Sequence, residues 1–292
     1  MVRILGNMSY TIFKEKVLDK LADYKKNVLK IEENGIFRYR GKKHPKEHIL
    51  PIPSGKSIQD IVKEYNVLKC LKGVDFLIEK DLHRYAHHLN SSQLMCYNFF
   101  RPYIIKEGSK TCPNDALIDL LSKYIAINQC DDAECHFEYV QGGEYEGEDT
   151  NFDFYLKSDE TEVFFEIKYT EAGFGKCEND DRHKDKFARI YNGLIKKCPA
   201  IKDSITFNDE FRKNYQLFRN SIRATGKNKY VIFIYDENNQ YCKDQLDEFL
   251  KKYITNDYKN INIIGITWQD LAQKFKSPHR EEFIDKYLSY PK

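Results

Sequence analysis

The spacing of hydrophobic positions in this chain changes near residue 127. Before that point, apolar residues recur every three or four positions, as at Tyr10, Phe13, Val17 and Leu21, which is the period of an amphipathic helix. The pattern predicts a basic loop at Asn34–Lys56 and helices at Ser9–Ile31, Ile58–Leu68, Lys80–Tyr103 and Pro113–Ile127. We therefore expect a helical N-terminal region over residues 1–110.

Beyond residue 111, runs rich in Phe, Tyr, Val and Ile are typical of strands. The predicted strands are Cys135–Val140, Thr150–Leu156, Glu162–Tyr169, Lys229–Tyr235 and Ile261–Thr267. The predicted helices are Asp180–Lys197, Phe207–Ala224, Gln240–Ile254 and two short ones at the end. Three successive strands followed by a helical crossover predict an α/β core with a mixed central sheet over residues 111–292.

Composition adds three constraints. Apolar residues make up 41 % of the chain, enough for a real core, and the formal net charge is only +2. Nucleic-acid binding would therefore have to depend on a local positive patch. No apolar run reaches the roughly 18 residues of a membrane span, and no signal-peptide core is present, so we expect a cytoplasmic protein without a membrane partner. The eight cysteines lack paired spacing, and we expect reduced thiols.

The most informative stretch is T-N-F-D-F-Y-L-K-S-D-E-T-E-V-F-F-E-I-K-Y at residues 150–169. In a hairpin centred between Asp159 and Glu160, residues whose numbers sum to 319 lie opposite each other, so Asp153 faces Glu166. Lys168 points to the same side as Glu166 because side chains alternate along a strand. Two carboxylates and an ammonium in apolar surroundings can hold a divalent metal beside a phosphate. The alternative is a salt-bridged, solvated face of the sheet.

The arrangement Asp–x(12)–Glu-x-Lys on such a hairpin resembles the PD-(D/E)XK nuclease superfamily. The segments H-H-L-N-S-S-Q-L-M-C-Y-N-F-F at 87–100 and E-I-K-Y-T-E-A-G-F-G-K-C at 166–177 resemble its bacterial restriction-endonuclease-like members. The resemblance covers about Pro113–Tyr235 and implies a restriction-endonuclease-like core of αβββαβ order. Phe152 stands where many members have proline, and Asp149 remains an alternative first acid.

The resemblance implies a site for Mg²⁺, which Mn²⁺ can replace. Its ligands would be Asp153, Glu166 and the backbone carbonyl of Ile167, and Lys168 would stabilise the attacking water. A second metal would need another acid, for which Glu138 and Glu148 are candidates, although both could equally be solvated charges. Gln93 would reach the active site or buttress the sheet, or it would simply satisfy buried polar groups.

Two helices after the motif carry basic residues suited to a phosphate backbone. An apolar stripe on Phe207–Ala224 is predicted to pack on the sheet, and it consists of Phe211, Tyr215, Phe218 and Ile222. Beside it runs a polar stripe of Arg212, Gln216, Arg219 and Arg223. The helix Asp180–Lys197 adds Lys184, Lys186 and Arg189, and the loop Arg38–Lys46 adds further positive charge. For each residue the alternative is an ordinary charged surface.

The sequence thus predicts a metal-dependent endonuclease that cuts double-stranded DNA, with a restriction-like or phage-defence role. One alternative is a DNA repair or junction-resolving nuclease on the same core. Another is a catalytically inactive nucleic-acid-binding protein on a nuclease fold, which the intact Asp–Glu–Lys set disfavours. Because cutting both strands commonly needs two active sites, we expect a homodimer.

Overall fold

The structure is a computed structural model, and it describes residues 2–78, 81–141, 150–202, 205–274 and 279–291. The chain divides into two compact units, Met1–Tyr103 with Trp268–Lys292, and Ile104–Thr267. The prediction divides the chain into residues 1–110 and 111–292, whereas in the structure Trp268–Lys292 groups with the first unit. The reason is aromatic packing: the rings of Trp268 and Phe283 each lie 5.3 Å, centroid to centroid, from Phe99.

Eleven α-helices and nine strands are formed by the described residues. The helices are α1 (Val2–Asn27), α2 (Ile58–Ile61), α3 (Ser92–Phe100), α4 (Asp115–Leu121), α5 (Asp181–Lys186), α6 (Asn192–Lys197), α7 (Asp209–Lys213), α8 (Tyr215–Ser221), α9 (Gln240–Tyr253), α10 (Trp268–Lys274) and α11 (Arg280–Tyr287). The strands are β1 (Gly35–Tyr39), β2 (Lys42–Lys46), β3 (Ile104–Glu107), β4 (Lys110–Pro113), β5 (Glu134–Gln141), β6 (Thr150–Ser158), β7 (Thr161–Ile167), β8 (Lys229–Tyr235) and β9 (Ile263–Thr267). No helix in these ranges is long and apolar enough to span a membrane.

The first unit is less helical than its apolar spacing predicts. The basic stretch expected to be a loop forms the antiparallel hairpin β1–β2. Arg40 and Gly41 close it with φ of 47° and 76°, the left-handed pair that a tight two-residue hairpin turn requires. The helix predicted over Lys80–Tyr103 begins only at Ser92, because the Ser91 hydroxyl caps it by accepting from the Leu94 amide.

A second departure lies at Pro113, which was expected to open a helix. Pro113 instead ends β4, paired with Ile104 of β3. Helix α4 begins two residues later, where the Asn114 side chain accepts from the Leu117 amide and caps it. A proline can end an edge strand as readily as it begins a helix, since both positions tolerate the missing N–H.

The second unit is built on a mixed five-stranded sheet of order β5-β6-β7-β8-β9. Strands β5, β6 and β7 are antiparallel, and β7, β8 and β9 are parallel. The predicted hairpin register is confirmed, since the pairs run from Phe154↔Phe165 to Ser158↔Thr161 and each sums to 319. Apolar side chains on this sheet, such as Phe164, Val231 and Phe233, are buried together with those of α8 and α9.

Helices α5 to α8 form the crossover from β7 to β8. A π-helical turn at Phe187–Tyr191 joins α5 to α6, so the predicted helix Asp180–Lys197 is nearly continuous. The predicted helix Phe207–Ala224 is instead broken at Asn214, whose φ and ψ of −109° and 23° separate α7 from α8. The predicted apolar stripe does face the core: Phe211, Phe218 and Ile222 are buried.

Candidate active site

Asp153 and Glu166 stand on neighbouring strands at the end of the β6–β7 ladder. The last ladder pair is Phe154↔Phe165, so Asp153 and Glu166 occupy the next position of the same register. Beyond it, the backbone N–H of Ile167 donates to Asp153 Oδ2 at 2.6 Å. The Asp153 carboxylate on β6 is thereby held against the peptide group that follows Glu166 on β7.

The Glu166 side chain is only 4 % exposed and accepts three hydrogen bonds. Its Oε1 accepts from Lys168 Nζ at 2.8 Å and from Gln216 Nε2 at 2.7 Å. Its Oε2 accepts from Asn220 Nδ2 at 2.7 Å. One charged donor and two amides therefore fix the orientation of this carboxylate, as a buried charge requires.

The charges of this cluster shift one another's pKa. Burial, together with the nearby charges of Glu166 and Glu138, raises the pKa of Asp153 well above its usual range, despite opposition from Lys168 and the Ile167 N–H. Burial alone would lower the pKa of Lys168, but the carboxylates of Glu166, Glu171 and Asp153 outweigh it and raise that pKa. The ammonium form of Lys168 is therefore favoured, whereas ionisation of Asp153 is disfavoured.

Glu138 adds a third carboxylate on β5. The pairs Phe137↔Phe154 and Tyr139↔Phe152 flank it, so its register position is opposite Asp153. Glu138 has a φ of 48°, which interrupts the ladder, and its Oε2 accepts from Asn151 Nδ2 at 2.7 Å. Glu148 and Asp149 lie outside the described residues. Within the described ranges, no three His, Cys, Asp or Glu side chains meet closely enough to form a metal-holding cluster by themselves.

The donor set at this position fits a divalent cation. Asp153 and Glu166 offer carboxylate oxygens, and Ile167, the residue directly after Glu166, adds a backbone carbonyl. Oxygen donors suit hard cations such as Mg²⁺, which commonly uses one or two carboxylates and completes its shell with water and phosphate. A bound cation would also offset the burial and the neighbouring negative charges that raise the pKa of Asp153.

Gln216, predicted to lie near the substrate, is held to Gly175 by two hydrogen bonds. The backbone N–H of Gly175 donates to the side-chain Oε1 of Gln216 at 2.8 Å, and the backbone N–H of Gln216 donates to the Gly175 carbonyl at 3.0 Å. Only Gln216 Nε2 therefore remains to face Glu166. A Cβ on Gly175 would lie 3.1 Å from Gln216 Oε1, so the close approach favours glycine here.

Asn220 is the site residue that the sequence reasoning missed. It is fully buried on α8, one helical turn after Gln216, so both amides face Glu166. The signal was present as two amides four residues apart. It was hidden because Asn220 lies between the apolar stripe and the stripe of arginines, and belongs to neither.

The segment after β7 is held by α9. Asn239 Nδ2 donates to the carbonyls of Tyr169 and Glu171 at 3.2 and 3.0 Å, and Gln245 Oε1 accepts from the Phe174 N–H at 2.8 Å. Gly173 has a φ of 91°, which a residue with a side chain rarely adopts. These contacts explain why the glycine-containing stretch that follows Glu166 belongs to the site.

Three of the six predicted DNA-contacting residues of the crossover helices pair with acids three or four residues earlier in the chain. Lys184 pairs with Asp181 at 3.3 Å, Arg189 with Asp185 at 2.7 Å, and Arg212 with Asp209. The other three lie in less exposed positions. Lys186 is 9 % exposed, Arg219 lies against the Tyr215 ring at 5.9 Å, and burial lowers the pKa of Arg223 to about 10.

Gln93 lies in the first unit and binds backbone groups of the segment before α3. Its Oε1 accepts from the His83 N–H, and its Nε2 donates to the Asp81 carbonyl, both at 2.9 Å. In the structure its side chain thus binds partly buried backbone groups of this segment.

Comparison with known proteins gives one match, to a family described as Restriction Endonuclease associating with ARP. The match covers residues 18–288, which includes the whole Asp153–Lys168 cluster. The chain belongs to this restriction-endonuclease family, in agreement with its resemblance to PD-(D/E)XK proteins. No curated protein and no solved structure matches it.

Proposed function

We propose that this protein is a metal-dependent endonuclease that hydrolyses phosphodiester bonds of double-stranded DNA. The observation that carries the proposal is the cluster of Asp153, Glu166 and Lys168, held by the Asp153–Ile167 and Glu166–Asn220 hydrogen bonds. Membership of a restriction-endonuclease family supports it. A buried group of like charges without a task would only destabilise the fold.

In this proposal Mg²⁺ is held by Asp153, Glu166 and the Ile167 carbonyl, and Mn²⁺ can replace it. Such an ion lowers the pKa of a bound water and screens the charge of the transition state. Lys168, kept charged by its neighbours, stabilises negative charge that develops on the reacting phosphate. Gln216 and Asn220 keep Glu166 in one orientation, and Glu138, whose register position is opposite Asp153, is the acid that we propose for a second ion.

The order of elements supports a restriction-endonuclease-like core. Helix α4, the three strands β5, β6 and β7, the crossover helices and β8 follow one another in the αβββαβ order that the resemblance implies. A restriction-like or phage-defence role fits the description of the family. A homodimer would supply the two sites needed to cut both strands of a duplex.

The decisive experiment compares cleavage of plasmid and oligonucleotide duplexes in Mg²⁺, in Mn²⁺ and in EDTA. Asp153→Ala and Lys168→Ala should each abolish detectable cleavage. Lys157→Ala, which removes an exposed lysine from the same strand as Asp153, should cleave like wild type. Cleavage that survives Asp153→Ala would contradict the mechanism.

The same assay separates the alternative functions. Discrete fragments from linear duplexes would support a restriction-like enzyme, whereas cleavage confined to branched or damaged substrates would support a repair or junction-resolving nuclease. Binding without cleavage in any metal would favour the inactive nucleic-acid-binding protein. Sedimentation of the wild-type protein with and without duplex tests the homodimer.

A further inference from the structure

The hairpin β1–β2 carries a dense group of positive charges in the described part of the chain. Between residues 35 and 46 there is no acidic residue, and all five cations are exposed: Arg38, Arg40, Lys42, Lys43 and Lys46. None of these five forms an ion pair with a carboxylate in the described residues, whereas Lys184, Arg189 and Arg212 all do. The hairpin therefore presents positive charge that the protein itself leaves uncompensated.

The strand register brings like charges together. Arg38 pairs with Lys43 across the ladder, so their side chains leave the same face at the closest cross-strand distance. Like charges directly opposite each other destabilise a hairpin, and no neighbouring acid relieves this pair. An arrangement that costs stability in the free protein indicates a partner that supplies the missing negative charge.

The two faces of the hairpin have different surroundings. On one face Phe37 packs against Tyr85 and His88, with ring centroids 5.9 and 6.1 Å away, and this contact anchors the hairpin. At its base the Gly35 N–H donates to the Ile49 carbonyl at 3.0 Å. The other face carries Arg38 and Lys43, bordered by Ile36 at 38 % exposure and by Pro45.

Two observations limit the kind of partner. Lysines and Pro45 along β2 make it a poor edge for pairing with a strand of another protein. The exposed Tyr39 ring already has Phe37 stacked against it at 6.3 Å and the Arg40 guanidinium at 5.2 Å, so it is a poor platform for an unpaired base. A regular polyanion, read by its backbone, suits this face better than either.

We propose that the Arg38–Lys43 face of hairpin β1–β2 binds the phosphate backbone of duplex DNA and holds the substrate of this enzyme. The inference rests on the proposed function and adds a binding surface outside the carboxylate cluster. A two-stranded ribbon fits the major groove, which is about 12 Å wide. Phosphate contacts of this kind fix the position of a protein on the duplex without reading its sequence.

The test uses the full chain and a fluorescent duplex in EDTA, which prevents cleavage, and follows anisotropy over a salt series. Arg38→Gln/Lys43→Gln removes two cations from the face. Its matched control is Lys56→Gln/Lys72→Gln, which removes two exposed cations from the same unit. Circular dichroism and thermal unfolding verify that both variants remain folded.

We expect the hairpin variant to bind duplex about tenfold or more weakly at low salt, and its salt slope to fall in magnitude by about 2. The control should match wild type. An equal loss in the control, or no loss in the hairpin variant, would overturn the inference. So would a loss confined to single-stranded RNA or to vesicles of anionic lipid, which would assign the face to that partner.

Failure of this inference can be told apart from failure of the proposed function. A wild-type protein that cleaves duplex in Mg²⁺ while the hairpin variant binds normally would contradict only the role of the hairpin. A wild-type protein that neither binds nor cleaves duplex would contradict both. Asp153→Ala, which leaves the hairpin intact, should retain the wild-type salt slope.

Discussion

The backbone N–H of Ile167 lies 2.6 Å from Oδ2 of Asp153. This bond joins two of the three residues proposed to share a cation, and it crosses from β7 to β6 where their regular pairing ends. The Asp153 carboxylate is thereby held in place before any ion arrives. Such preorganisation reduces the cost of ordering ligands when the ion binds.

Replacing Asp153 by asparagine should stabilise the metal-free protein and abolish cleavage. The raised pKa of Asp153 means that the folded state disfavours the charged carboxylate, mainly because it is buried beside Glu166. A neutral amide keeps an oxygen for the Ile167 N–H and removes the repulsion. We expect Asp153→Asn to raise the free energy of unfolding at pH 7 by about 1 kcal/mol, measured in urea.

The control is Asp119→Asn, which neutralises an exposed acid on α4 and should change stability little. A loss of stability in Asp153→Asn would mean that the carboxylate charge is favourable in the fold, contrary to the electrostatics described above. Adding Mg²⁺ should stabilise wild type against urea but not Asp153→Asn, because only wild type keeps the charged ligand.

Asn220→Ala should weaken catalysis without changing which bond is cut. The variant removes the donor to Glu166 Oε2, while Lys168 and Gln216 still hold Oε1. Loss of a group that orients a metal ligand typically costs 10- to 100-fold in activity or metal affinity. We expect a fall of roughly that size, seen as a rise in the Mg²⁺ concentration needed for half-maximal cleavage.

Asn192→Ala is the matched control, since Asn192 begins α6 away from Glu166 in sequence and is half-buried. It should need no more Mg²⁺ than wild type. If Asn220→Ala unfolds more easily but keeps the wild-type Mg²⁺ requirement, its role is structural and not one of positioning Glu166.

Gly175→Ala should lower activity by steric displacement of Gln216. The new Cβ would lie 3.1 Å from Gln216 Oε1, so the amide must move by a few tenths of an ångström. We expect cleavage to slow by roughly tenfold or less, since a misplacement of a full ångström can cost about 100-fold. Gly193→Ala is the control, because a Cβ at Gly193 meets nothing within 4 Å. Cleavage by Gly175→Ala at the wild-type rate would show that Glu166 does not depend on the orientation of Gln216.

Lys286 should make stability depend on pH in an unusual direction. Burial lowers its pKa from 10.5 to about 7, against the opposing charge of Glu282. Between these values the unfolded chain binds more protons than the folded one, so stability rises with pH. Below about pH 7 both states are protonated, and the cost of the buried charge is fully present.

Lys286→Met should therefore gain most over wild type below pH 7, and the gain should shrink by up to about 1.4 kcal/mol per pH unit above it. Urea unfolding at pH 6, 7.5 and 9 measures the difference. The Asn66 carbonyl, which accepts from Lys286, also accepts from Asn98 Nδ2 at 2.9 Å, so the variant does not leave it without a donor. A difference that is constant with pH would contradict a lowered lysine pKa.

The β6–β7 hairpin was predictable because its register depends on a short local sequence. A turn between Asp159 and Glu160 determines every pair up to Phe154↔Phe165, and period two then determines which side chains meet. The strands of the second unit are likewise mostly apolar runs that local sequence reveals. The family resemblance then placed a helix and a further strand after the hairpin, and the structure has both.

Three departures from the predicted elements have a common physical cause. The extent of α3, the role of Pro113 and the hairpin β1–β2 depend on caps, edge pairing and a left-handed turn, which apolar spacing does not report. Asn220 was missed for a different reason, because its importance comes from a partner 54 residues earlier in the chain. The break at Asn214, which precedes α8, likewise has a partner distant in sequence, since Gln245 Nε2 donates to Asn214 Oδ1 at 3.3 Å.

The parallel pairing of β7 with β8 has a consequence for how the active site arises during folding. Asp153 and Glu166 meet through a short local turn, but Lys168 N–H bonds to the Ile234 carbonyl, and Gln216 and Asn220 reach Glu166 from the crossover between them. Closing the long loop between β7 and β8 is slower than forming the β6–β7 hairpin. If the proposed function holds, a nascent chain should bring its two acids together early yet remain unable to cut DNA until β8 has been made and docked.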